Sequence, residues 1–352
     1  MRAVVYEAFG ELPSVRKVPD PSCPDDGVVV RVDATGLCRS DWHAWVGHDP
    51  DVVLPHVPGH ELAGTIETAG SAVRSWAPGQ RVIMPFIGAC GVCPPCRAGN
   101  AQVCDNQRQP GFHTWGSFAE RVALGRADAN LVALPEAIEA RDAAILGCRF
   151  ATAYRAVVTR GRVRAGEWVA VHGCGGVGLS AVMIAAAHGA RVVAVDLSAA
   201  ALAAAKALGA EAAVDPSSLP EGLDTAGAIR ELTDGGAHLS IDALGSVATS
   251  LGSIASLRKR GRHVQVGLMV GDAAIAPIPM NTVMARELDL VGSHGMAAAE
   301  YPAMLAEILA GTLQPGRLVG ATIGLDDAPA ALAAMSRPAP TAGITVILPR
   351  GA

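Results

Sequence analysis

Short β-branched runs alternate with turn material through the first third of the chain. AVVY (3–6), VVVRVDA (28–34), LAGTIETAG (62–70) and RVIMPF (81–86) are separated by segments such as PDPSCPDDG (19–27), VPGHE (57–61) and APGQ (77–80). Apolar runs punctuated by Pro, Gly and Asp predict strands joined by tight turns. Residues 90–116 carry little periodicity and read as a long ordered loop, which needs some staple other than its own core. From about residue 135 the pattern changes. LPEAIEARDAAILGCRFATAYRAVV reads as helical, with a proline and acidic residues in its first turn. Beyond it, apolar strands alternate with helices. EWVAVHGCGG, RVVAVDLS and AAVD (212–215) are strands, and VGLSAVMIAAAHG and SAAALAAAKALGA the helices between them. AHLSIDALG (237–245), RHVQVGL (262–268) and LDLVGS (288–293) continue the strand series, and a helix (YPAMLAEILAG) and a strand (GITVILP) close the chain. Strands that are apolar throughout and separated by helices predict a parallel, doubly wound sheet.

A length of 352 residues suits two domains. The expected division is a catalytic domain of residues 1–150 and 293–352 around a dinucleotide-binding domain of residues 151–292. Charged residues are 17%, below the roughly 25% of ordinary soluble domains, so the chain is expected to bury much of itself. A net charge of −5 with no Lys/Arg run leaves no footprint for nucleic acid. No apolar run reaches the ~20 residues that span a bilayer. Glu7 and Glu11 interrupt the N-terminus before a signal-like segment forms, which predicts a cytoplasmic protein without a membrane partner. Eight cysteines in a reducing compartment read as metal ligands or core residues rather than disulfides.

Four of those cysteines, Cys90, Cys93, Cys96 and Cys104, form C-x2-C-x2-C-x7-C. Four thiolates from one short loop suit a closed tetrahedral Zn²⁺ site that orders the loop. An iron–sulfur cluster takes similar ligands, so spacing by itself leaves iron open. A second signature, G-x-G-x-x-G at Gly173, Gly175 and Gly178, includes Gly176 and Val177 and lies between an apolar strand and a helix. In that context the first glycine makes the turn, the second admits a pyrophosphate and the third lets helix and strand approach. Asp196 ends the next strand, where its carboxylate suits ribose hydroxyls and would repel a 2′-phosphate, so NAD is expected over NADP.

The segments GLCRSDWH (36–43), PGHELAGTI (58–66) and GCRFATAY (147–154) are individually bland. Cys38 and Cys148 suit buried small hydrophobes, His60 a satisfied turn histidine and Glu61 a solvated carboxylate. In order with the cysteine loop and VHGCGGVG, however, they make the whole chain resemble the zinc-dependent medium-chain alcohol dehydrogenases. The resemblance implies a GroES-like, β-rich catalytic domain with a Rossmann doubly wound parallel-sheet domain, two Zn²⁺ per chain, and NAD. It implies Cys38, His60 and Cys148 as ligands of a catalytic zinc and Glu61 as a carboxylate able to approach that metal. Asp41 would orient the zinc-bound histidine. Ser40 and His43 would form a proton relay through the nicotinamide ribose, and Arg39 would face the pyrophosphate. Thr152, Val266, Gly267 and Leu268 would touch the cofactor. Trp42 and Phe86 would line the substrate pocket.

The implied activity is hydride transfer between a primary or secondary alcohol and NAD, with the matching aldehyde or ketone as product. The partner is thus a small molecule, and the chain length resembles the bacterial homo-tetramers of the family more than its longer dimers. Two alternatives keep the fold: an isomerase or lyase that uses NAD transiently, and a zinc-free enone or quinone reductase, which would lack the ligand set present here. A non-catalytic binding protein would be expected to have lost ligands or relay groups. Thr345 stands where many relatives carry a basic residue. Cys23 and Cys174 receive no role, and His48, His56, His113 and His294 read as surface or satisfied histidines.

Overall fold

The computed structural model describes residues 1–337 and 341–351. Two units separate: Met1–Ala151 with most of the chain after Gly295, and one built on Thr152–His294. No described helix is long and apolar enough to cross a membrane.

The second unit is a six-stranded parallel sheet in the spatial order Ala212–Val214, Arg191–Val195, Trp168–His172, Ala237–Asp242, Leu257–Gln265, Asp289–Gly292. Numbered along the chain this is 3-2-1-4-5-6, the doubly wound order that opens a ligand crevice where the winding reverses. The reversal falls between Trp168–His172 and Ala237–Asp242, so the loops after His172 and Asp242 flank it. All five residues of Trp168–His172 are buried, as a central strand covered on both faces requires.

The first unit centres on a mixed sheet in the order Val319–Gly324, Ile344–Leu348, Val28–Leu37, Glu61–Ala69, Arg81–Ile83, Val132–Ala133, with Arg121–Leu124 also paired to Val28–Leu37. Alternate residues Val28, Val30 and Val32 point to one face, where they meet Leu62, Ile66, Val82, Met84, Val122 and Leu124. A two-stranded ribbon, Arg2–Val5 with Ser14–Lys17, forms its own ladder and packs on this sheet, Val4 sharing a buried cluster with Leu37 and Ile347.

The helix expected across residues 134–158 is broken. Helix Ala140–Ala143 passes into a 3₁₀ turn, Ala144–Gly147; Cys148 leaves the helical region at φ −132° and ψ −79°, and helix Arg149–Tyr154 follows. Gly147 causes the break by packing its backbone against residues 60, 61 and 84; an added Cβ would lie 2.9 Å from the Met84 carbonyl. The carbonyls freed there find other donors, since Tyr301 Oη–H donates to Leu146 at 2.9 Å and Phe86 N–H to Gly147 at 2.9 Å. The interruption delivers Cys148 to the site described next.

Candidate functional site

Three separate elements bring Cys38, His60, Glu61 and Cys148 together, with their potential ligand atoms all within 4.8 Å of one another. Cys38 follows the long central strand Val28–Leu37 and caps helix Arg39–Trp45; His60 immediately precedes the adjoining strand Glu61–Ala69, which Glu61 begins. Asp41, fully buried, ties these pieces together. One carboxylate oxygen accepts the Cys38 N–H at 2.9 Å, and the other accepts the Gly59 N–H at 3.1 Å and His60 Nδ1–H at 2.8 Å. That last bond fixes the tautomer and leaves Nε2 as a lone pair. His60 Nε2 is buried and has no protein partner. An orphaned imidazole nitrogen beside two sulfurs is the donor set of a zinc site with one open position, so these residues fit the metal. The rings of Phe112, at 5.2 Å, and Phe86, at 6.2 Å, pack against His60 and shield it.

The electrostatics follow from burial. A bond from the Cys148 thiol holds Cys38 well below the ordinary thiol range against the cost of burial, with Arg149 and His60 adding to it; the same bond and burial push Cys148 up. Burial raises Glu61, and Arg149 opposes that rise. Arg149 wraps the carboxylate: its backbone N–H donates to Oε1 at 2.8 Å, Nε to both oxygens at 3.0 Å, and Nη2 to Oε2. Only glycine at position 36 leaves room for this pair, because a Cβ there would overlap the Glu61 carboxylate and lie 2.7 Å from Arg149 Nη2. Arg149 stood unremarked inside GCRFATAY; a basic residue next to a candidate ligand was the signal available.

The cysteine loop closes on itself. Cys93 Sγ lies 3.4 Å from Cys96 Sγ and 3.7 Å from Cys104 Sγ, and all four sulfurs fall within 4.8 Å. These separations exceed the ~2.05 Å of a disulfide and approach the ~3.8 Å between thiolates placed ~2.3 Å from a tetrahedral Zn²⁺. Backbone N–H groups of Val92 and Cys93 lower Cys90 to about 6, so one thiolate is prepared in advance. Asn130 also staples the loop, bonding both the N–H and the carbonyl of Ala89 at 2.7 and 3.0 Å.

The other sequence-predicted residues are distributed as follows. Ser40 and His43 lie one turn apart on helix Arg39–Trp45, and Ser40 Oγ is 3.9 Å from Cys38 Sγ. Arg39 donates to the Met335 carbonyl and lies 5.0 Å over the Trp42 ring. Trp42 packs edge-on against His43 and donates to Ser336 Oγ at 2.9 Å. His48, read from the sequence as bland, touches His43, with their Nδ1 atoms 3.0 Å apart.

In the second unit, the turn after His172 has Gly173 at φ +89°, and a Cβ on Gly178 would overlap the Gly173 carbonyl. Gly175, at the N-terminus of helix Gly176–Ala187, faces open space instead, with no atom within 4 Å of an added Cβ. Val177 lies in the first turn of that helix. Asp196 accepts the Cys174 N–H at 2.7 Å and the Ser198 N–H at 2.8 Å, one on each carboxylate oxygen, so lone pairs remain. Asp242, which the sequence reading passed over, is fully buried and ties the loop that follows it to the loop after Gln265. Its side chain accepts from the backbone N–H groups of Leu244 and Gly245 and from the Gln265 Nε2–H, and its carbonyl from the backbone N–H groups of Val266 and Gly267. Leu268 is exposed. Thr152 Oγ1 is buried without a partner. An open glycine cradle, a helix N-terminus and a half-satisfied carboxylate together fit a dinucleotide.

Family profiles match both units. The profile described as alcohol dehydrogenase GroES-like domain covers residues 24–136, and that described as zinc-binding dehydrogenase covers residues 176–310. An alcohol dehydrogenase of Geobacillus stearothermophilus is 36% identical over 296 residues, 83% of this chain and 84% of its own. The solved structure of alcohol dehydrogenase TADH from Thermus sp. ATN1 is similar with a TM-score of 0.89 and 30% identity, over 99% of both chains. A solved NAD-dependent alcohol dehydrogenase gives a TM-score of 0.87 and 31% identity, over 99% of this chain and all of its own. The match in sequence and backbone extends across both units, and the chain belongs to the zinc-dependent medium-chain alcohol dehydrogenase family.

Proposed function

We propose that this chain, a zinc-dependent oxidoreductase of its family, transfers hydride between a primary or secondary alcohol and NAD, with Cys38, His60 and Cys148 holding the catalytic metal. The observation that carries the reading is the gathering of those ligand atoms around a His60 Nε2 that no protein group satisfies. Bound there, zinc supplies Lewis-acid polarisation of the substrate oxygen, and NAD supplies the hydride acceptor. The chain's own groups do the rest. Asp41 holds His60 in the ligating tautomer. Ser40 takes the hydroxyl proton and His43 receives it. Glu61, restrained by Arg149, would be placed to approach the metal. Phe86 forms one wall of the substrate pocket, with Trp42 behind the relay.

Cofactor assignments rest on the loop geometry. Gly173, Gly175, Gly176, Val177 and Gly178 bend around the pyrophosphate, with Arg39 as a further cation. Asp196 receives the ribose hydroxyls and selects NAD, Thr152 offers its unpaired hydroxyl to the nicotinamide, and Val266, Gly267 and Leu268 complete the contact. Cys90, Cys93, Cys96 and Cys104 hold a second, structural zinc, which gives two per chain. The protein works in the cytoplasm as a homo-oligomer, with a tetramer favoured. Exposed Ile275, Met280 and Met284, which precede edge strand Asp289–Gly292 in the chain, support a second copy as its partner.

Metal analysis should give two zinc per chain. Cys38→Ser should lose one zinc and alcohol-dependent NADH formation while keeping the cysteine-loop metal. Full turnover in Cys38→Ser would overturn the assignment.

A further inference from the structure

Helix Arg39–Trp45 ends in a turn that the sequence dictates. Gly47 takes φ +84°; its N–H donates to the Ala44 carbonyl at 3.1 Å, and the next N–H, of His48, donates to the His43 carbonyl at 2.9 Å. This 5→2 and 6→1 pair is a Schellman motif, which brings the second residue past the cap against the residue three from the helix end. Apolar side chains usually meet at those two positions. Here both are histidines, His43 and His48. Position 47 favours glycine on two counts: the left-handed backbone at φ +84°, and crowding of Phe9, whose Cγ lies 3.1 Å from an added Cβ.

The rings meet at 5.3 Å between centroids, and Nδ1 of His43 lies 3.0 Å from Nδ1 of His48. Trp42 stands edge-on against both, at 5.0 and 5.7 Å, and Ser336 fixes its indole. His43 is half-buried and His48 exposed. The charged groups acting on His43 are His48, Arg39 on its own helix and Cys38 before it. Burial is the largest cause lowering the His43 pKa, so a proton gained there is readily passed on.

We propose that His48 extends the proton path of the alcohol dehydrogenase reaction, taking the proton from His43 and delivering it to water. The proposal rests on the relay reading of Ser40 and His43 above. With Nδ1 of His43 engaged by His48, Nε2 is the nitrogen that receives the substrate proton. In one passage a proton bonds to His43 Nε2, the Nδ1–H bond of His43 breaks as that proton bonds to His48 Nδ1, and His48 Nε2 releases its proton to water. Both rings end neutral and one proton has left the protein, as oxidation of an alcohol by NAD requires; tautomer exchange with water returns the starting state. No oxidant or reductant enters. His48 acts through His43 and is therefore a positioning residue.

The test uses the zinc-loaded, full-length protein and the pre-steady-state rate of NADH formation from alcohol, across pH, for His43→Gln, His48→Gln and the double variant. Glutamine keeps a polar side chain but cannot relay a proton. His48→Gln should slow the rate about tenfold, a fraction of the roughly 10²–10⁴ that acid–base groups supply. The loss should be largest at low pH, with KM, zinc content, NADH affinity and Tm unchanged. Added imidazole should restore the rate, and His48→Gln should cost nothing further in the His43→Gln background. A wild-type pH–rate profile for His48→Gln beside a slow His43→Gln overturns the extension and leaves the relay standing. A wild-type rate for His43→Gln overturns both.

Discussion

Arg149 places four hydrogen bonds on the Glu61 carboxylate from a single residue, and both partners are buried beside the candidate metal ligands. The guanidinium balances a carboxylate that would otherwise stand unpaired against two sulfurs. Its planar fork can satisfy both oxygens at once, which a lysine cannot.

Arg149→Met should therefore destabilise the protein by roughly 3–5 kcal/mol, the cost of leaving one member of a buried pair uncompensated. Adding Glu61→Gln should recover part of that loss, because the stranded charge is then gone. Denaturant unfolding of the zinc-loaded variants measures both. A single variant as stable as the wild type would mean that water already solvates Glu61.

The glycine loop separates a steric from a ligand requirement. Gly175→Ala meets no protein atom within 4 Å and should leave Tm unchanged, yet weaken NADH binding tenfold or more where the pyrophosphate approaches. Gly178→Ala should lower stability by about 1–3 kcal/mol, as overpacking does, because its Cβ would overlap the Gly173 carbonyl. Thermal unfolding and fluorescence titration with NADH distinguish the two. Normal NADH affinity in Gly175→Ala would place the pyrophosphate elsewhere.

His172 gives a pH prediction in the second unit. Burial, assisted by His263 and opposed by Asp242, lowers it from 6.5 to about 4. Above pH 6.5 the ring is neutral in folded and unfolded chains alike, and its contribution is fully present. As pH falls from 6.5 towards 4, the unfolded chain binds a proton that the folded chain refuses, and about 3 kcal/mol is lost. Stability against urea should fall over that window, and His172→Gln should reduce the slope by about one proton. An unchanged slope would mean that another group dominates; His263 and His56, both also lowered by burial, are the next to test.

The parallel sheet was readable because its strands are apolar on both faces: Trp168–His172 and Arg191–Val195 carry that signal in consecutive residues. The cysteine loop and the glycine turn were readable because all their groups lie close along the chain. Residues 134–158 misled because their local pattern is helical, whereas the break at Gly147–Cys148 answers to contacts with residues 60, 61 and 84. His48 was missed as a neighbour of His43 although its cause is local: Gly47 followed by His48 sets the turn that joins them.

The sequence by itself determined the strand and helix periods, the four-sulfur loop, the glycine turn and, through resemblance, the family, since each is written in residues spaced by fewer than about twenty positions or in motif order. Tertiary structure alone decided that Glu61 belongs to Arg149 across 88 positions, that Asp41 also accepts from the Gly59 N–H, and that His60 Nε2 is left without a partner. Those facts depend on which side chains share a dehydrated space. That space exists only once the strand begun by Glu61 pairs with the strand ending before Cys38, and the broken helix turns Cys148 towards them.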